Sequence, residues 1–73
     1  MNIQLDTQDK VWKYINRIPK NPLDNSIDII YSEHCFKLGL TEIELRNILN
    51  SFGKRGLINF NGYFGGAIIM FPL

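Results

Sequence analysis

The segment Leu38-Gly39-Leu40-Thr41, followed by Glu42-Ile43-Glu44, constrains this chain more than any other part of it. Gly39 is suited to the left-handed conformation that a helix stop needs. Two residues later, Thr41 opens a capping box, in which its side-chain oxygen and the Glu44 carboxylate satisfy two orphan helix donors reciprocally. A helix that stops so close to the start of the next must cross it at a tight turn. The second of these helices is predicted over residues 42–53. There Leu45, Ile48, Leu49 and Phe52 fall within about a 100° arc, which makes that side a core face. The first is predicted over residues 33–38, with Ser32 as its N-cap.

Other elements follow from periodicity and punctuation. Val11, Tyr14, Ile15 and Ile18 recur at helical spacing and predict a helix over residues 7–18, capped by Thr7 or Asp6 and stopped by Pro19. Trp12 lies at the margin of that face. Residues 19–26, rich in Pro, Asn, Asp and Ser, read as a loop. Residues 27–31 read as a short strand. From Gly56 to Leu73 the chain carries no charged residue. Residues 57–60 and 67–71 read as two strands of a hairpin, within residues 57–71. Asn61-Gly62 is the strongest turn signal between them and Gly65-Gly66 a competing one.

With 73 residues, the chain has room for one small domain. Hydrophobic residues make up 45% and charged residues 21%, too apolar a balance for disorder, and a net charge of +1 excludes a polybasic or polyacidic tail. Cys35 is the only cysteine, which excludes an intrachain disulfide and points to a reducing cytoplasm. No basic flank precedes an apolar run near Met1, so no secretion signal is expected. The longest apolar run, residues 67–71, is far short of the roughly 18 residues a membrane span needs.

No catalytic, metal or cofactor site is expected. His34 and Cys35 are adjacent, and neighbours on a helix point about 100° apart, which suits neither a nucleophile–base pair nor a zinc site. Cys35 is expected in the core and His34 on the surface. The carboxylates are scattered, and the glycines form no phosphate loop.

The element order and the Leu38–Ile58 stretch together resemble the winged helix-turn-helix family. The likeness rests on the Leu-Gly-Leu-Thr turn, the helix reading Leu45…Ile48-Leu49…Phe52, and Gly56-Leu57-Ile58 before a hairpin. It implies an α+β winged-helix fold: a three-helix bundle with a helix-turn-helix, a short strand and a C-terminal hairpin wing. It also implies a transcriptional regulator or accessory factor that binds double-stranded DNA, with the third helix in the major groove. On that helix, Thr41, Ile43, Arg46, Asn47, Asn50 and Lys54 become the DNA-reading residues, and Lys37 and Arg55 the phosphate contacts. The chemistry suits the role: arginine bonds guanine bidentately, asparagine bonds adenine, and an apolar tip such as Ile43 touches a thymine methyl.

Two other meanings of the same residues stand beside this one. The polar arc can be the solvated side of an amphipathic helix, with Glu42 and Glu44 serving its N-terminus. The hairpin, which brings no cation to DNA, can be a surface for a protein partner or a second copy. Trp12, Tyr63, Phe64, Met70 and Phe71 would form that surface, since aromatics and methionine suit interface cores. Alternatively, the hairpin folds over the first helix and Trp12 as core. Residues 1–36 carry four Lys/Arg and five Asp/Glu, and residues 37–73 four and two. Non-specific DNA affinity is therefore expected to be modest.

Overall fold

A computed structural model of the chain describes residues 3–72. Its elements are α1 (Ile3–Arg17), β1 (Ser26–Ile30), α2 (Tyr31–Leu38), α3 (Glu42–Lys54), β2 (Asn59–Tyr63) and β3 (Gly66–Met70). The strands form one antiparallel sheet in the order β1-β3-β2, so the last strand lies between the first two. Val11 and Ile15 of α1, Leu45, Leu49 and Phe52 of α3, and Ile27, Ile29 and Ile69 of the sheet are buried in one shared core. Fully burying such a side chain contributes about 1.5–3 kcal/mol each, which is what holds so short a chain together.

The turn between α2 and α3 forms as its residues dictate. Gly39 adopts φ 70°, and Leu40 N–H donates to Cys35 C=O at 3.0 Å, closing the last turn of α2. Glu44 N–H donates to Thr41 Oγ1 at 3.1 Å, and Thr41 N–H donates to Glu44 Oε1 at 2.9 Å. The capping box is complete. The far end of α3 is equally defined: Leu57 N–H reaches Phe52 C=O at 3.0 Å and Gly56 N–H reaches Gly53 C=O at 3.1 Å.

The strands shift from the sequence expectation, to residues 26–30, 59–63 and 66–70 from 27–31, 57–60 and 67–71. Tyr31 thus joins α2, Leu57 and Ile58 lie outside β2, and two helix starts move as well. Helix α1 starts at Ile3, so Asp6 and Thr7 lie inside it rather than capping it. No Gly or Pro interrupts residues 3–6, and Asp6 in the first turn complements the helix dipole. Helix α2 starts at Tyr31, ahead of Ser32, and its N-cap Ile30 makes no side-chain cap. A tertiary bond takes over that role, because Tyr31 N–H donates to Gly65 C=O in the hairpin turn at 3.0 Å.

The hairpin turn is the largest correction. It falls at Phe64-Gly65, and Asn61-Gly62 lies inside β2. A turn at Asn61-Gly62 would set Phe60 opposite Tyr63 and put Lys54, a helical residue, opposite Ile69. The observed register pairs Phe60 with Ile69 and uses the whole of both strands. It also puts Ile69 on the core face beside Ile27, its partner on β1.

Candidate nucleic-acid interface

Burial of Leu45, Leu49 and Phe52 fixes the roll of α3, and the opposite side of the helix faces solvent. Ile43, Arg46, Asn47, Asn50 and Lys54 are all exposed there, Ile43 at 62%. The Arg46, Asn47, Asn50 and Lys54 side chains form no hydrogen bond or ion pair with another described residue. Thr41 sits at the start of the same helix, and its hydroxyl accepts from Glu44 N–H while keeping its own proton to donate. The structure thus brings these six residues onto one helix and its cap.

Tyr31, the first residue of α2, is only 2% exposed, and its hydroxyl has no hydrogen-bond partner among the described residues. Burial pushes its phenol above the ordinary value. The Arg46 charge opposes that rise, while Cys35 and Glu42 add to it. The Cys35 thiol is buried and pushed up in turn by burial and by the Glu42 and Glu44 charges, so it is held as the thiol.

Lys37 and Arg55 stand apart from the α3 side. Arg55 donates from a guanidinium nitrogen to Gln8 Oε1 at 3.4 Å, and its guanidinium carbon lies 5.9 Å from the Phe52 ring centroid, so it lies toward α1. Lys37 lines a groove between α1 and α2 together with Lys10, Lys13 and Arg17. Those three residues recur at i, i+3 and i+7 and form one stripe of α1, a periodicity that the sequence carries beside the apolar stripe. His34, expected on the surface, is half-buried and shares a 2.6 Å hydrogen bond between its Nδ1 and the Tyr14 hydroxyl.

The residues expected as an aromatic partner surface divide. Phe71 is buried, and Trp12 packs edge-on to Phe52 at 5.4 Å and tilted on Phe71 at 6.1 Å. These two close the core between α1 and the C-terminal segment, because that segment is tied back: Phe71 N–H donates to Asn25 C=O at 3.1 Å. Met70 is half-buried. Tyr63 and Phe64 are exposed, with Phe64 fully so at the hairpin tip.

Among the described residues, no three His, Cys, Asp or Glu side chains gather where they could hold a metal ion, and no helix is long and apolar enough to cross a membrane. No protein-family model, curated protein or solved structure matches the chain.

Proposed function

We propose that this chain is a small winged-helix domain that binds double-stranded DNA in the cytoplasm and regulates transcription or assists another DNA transaction. One observation carries the reading: Ile43, Arg46, Asn47, Asn50 and Lys54 form an exposed side of α3 whose polar side chains make no hydrogen bond or ion pair with another described residue. An α-helix fits the major groove, and this set offers donors for guanine and phosphate, amides for adenine and an apolar tip for thymine. Support also comes from the order of elements and from the helix-turn-helix built on Gly39 and Thr41. The test is fluorescence anisotropy of a labelled mixed-sequence duplex at low and near-physiological salt. Binding that falls steeply with salt, and that Arg46→Ala with Lys54→Ala weakens, is expected. Unchanged affinity and salt slope in that variant sink the reading.

A second reading is favoured by the hairpin tip, where Phe64 is fully exposed next to half-exposed Tyr63 and near Ile68. There the domain docks on another protein or on its own copy through an uncharged aromatic surface. Light scattering tests this: Tyr63→Ser with Phe64→Ser then lowers the mass seen for wild type. A wild type that stays monomeric at every concentration and captures no partner counts against it.

A further inference from the structure

We infer that the groove between α1 and α2 is a track for the phosphate backbone of a duplex, separate from the base-reading side of α3. Lys10, Lys13, Arg17 and Lys37 line it, four of the chain's eight Lys and Arg. The three on α1 spread along about 10 Å of helix axis. Lys37 approaches from the last turn of α2. Tyr14 lines the groove between them and is held to His34 of α2. Lys10 Nζ donates to the Leu38 carbonyl at 3.2 Å, which fixes α2 against α1 at one end of the groove.

Three carboxylates stand near these cations, and each leaves them available. Asp6 and Asp9 line the groove, and Glu33 stands beside it on α2. Lys13 pairs with Asp9 at 3.0 Å and Lys37 with Glu33 at 4.0 Å, both well exposed and both within one helix. Such pairs are worth little and exchange readily for a phosphate. Arg17 has no ion pair among the described residues. The groove lining therefore carries four cations against two carboxylates.

The placement supplies charge that the hairpin lacks. The chain from Gly56 onward has no cation, so the hairpin brings no positive charge to a phosphate backbone. The groove adjoins the helix-turn-helix, because Leu38 lines it and Thr41 caps α3 three residues later. This inference rests on the reading of the chain as a duplex-DNA binder, and the two are separable by experiment.

The experiment is anisotropy with one labelled duplex across a salt series, for the full chain and three variants. Lys13→Gln with Arg17→Gln is expected to reduce the slope of log affinity against log salt by about 2 and to weaken binding about tenfold at low salt. Lys13→Arg with Arg17→Lys is expected to keep both, which separates lost charge from lost fold. Asp9→Asn, which removes the competing carboxylate, is expected to tighten binding. An unchanged slope in the glutamine variant overturns the groove, even if Arg46→Ala with Lys54→Ala weakens binding as the α3 reading requires. Loss in the glutamine variant alone supports the groove and overturns the α3 reading. A wild type without salt-dependent binding overturns both.

Discussion

The Tyr63 hydroxyl donates to Asp28 Oδ1 at 2.5 Å, reaching from β2 over the middle strand to β1. The reach is open because β3 presents Gly66 at the pair level with Tyr63, and the phenol lies over that glycine. Register sets the diagonal: Tyr63 is opposite Gly66, which is opposite Ile30, whereas Asp28 is one same-face position further along β1. The bond ties the outer strand of the hairpin to the strand that leads into α2. With it goes the Tyr31 N–H bond to Gly65, so two links hold the tip against the body. Tyr63→Phe and Asp28→Asn are each expected to raise the amide exchange rate of residues 63–66 and lower the thermal midpoint. Their double variant should lose no more than either alone. Additive losses would show that the bond is not what the two residues share.

Stability is expected to fall on the alkaline side. Tyr14 and Tyr31 have phenols pushed above the ordinary 10.0, chiefly by burial, and Tyr63 chiefly by its bond to Asp28. Cys35 is pushed above 9.0 by burial and the Glu42 and Glu44 charges. In each case the folded chain holds the proton more tightly than the unfolded chain. That contribution is complete below the unfolded values and is lost as pH climbs through the folded ones. Thermal melts should therefore keep their midpoint toward mildly alkaline pH and drop beyond about pH 9. Tyr31→Phe and Cys35→Ala should flatten the drop, and a midpoint independent of alkaline pH would contradict the assignment.

Gly66 leaves no room for a side chain. A Cβ there would collide with the Ile29 carbonyl oxygen and meet the Tyr63 hydroxyl at 2.8 Å. Gly66→Ala must separate β1 from β3 and displace the Tyr63 hydroxyl, and is expected to cost at least the 1–3 kcal/mol or so typical of overpacking. Gly62→Ala is the comparison, because its Cβ meets only the far edge of the Phe60 ring, at 3.3 Å. Urea denaturation should show Gly66→Ala as the more damaging by a clear margin.

What the sequence discloses here is its local chemistry. The stop at Gly39, the box between Thr41 and Glu44, and the buried arc of Leu45, Leu49 and Phe52 each depend on residues a few places apart. The features it hides depend on distant partners. Asn61-Gly62 is a good turn by itself, yet the pairing of Ile69 with both Phe60 and Ile27 moves the turn to Phe64-Gly65. Helix α2 begins one residue before Ser32 because a carbonyl in the hairpin satisfies Tyr31 N–H. Trp12 and Phe71 look like spare aromatics until the bonds between Asn25 and Phe71 bring the C-terminal segment back to α1. The exposed side of α3 was legible because it is the complement of a buried arc. The α1–α2 groove was not, since it needs cations from two helices.

The capping box offers a measurement of how much α3 depends on its start. Thr41→Ala removes the acceptor of Glu44 N–H and is expected to lower unfolding free energy by about 1 kcal/mol. Glu44→Gln keeps an acceptor for Thr41 N–H and should cost much less than Glu44→Ala. Equal losses for the glutamine and alanine variants would mean that the Glu44 charge at the helix start matters and its bond does not.

Tyr31 is expected to give the opposite sign from most core substitutions. Its ring is buried, and its main-chain N–H holds the hairpin turn, but its hydroxyl is sealed in without a partner. A buried hydroxyl without a hydrogen bond forfeits what it had in water, a penalty of about 1–3 kcal/mol. Tyr31→Phe removes that oxygen and keeps the ring and the main-chain bond. The variant is expected to unfold at higher urea, with a gain of about 1 kcal/mol after allowing for the small void left behind. Tyr31→Ala, by contrast, should lose roughly 3–5 kcal/mol, because it empties the site between α2 and the core. A phenylalanine variant less stable than wild type would show that the hydroxyl is satisfied in solution.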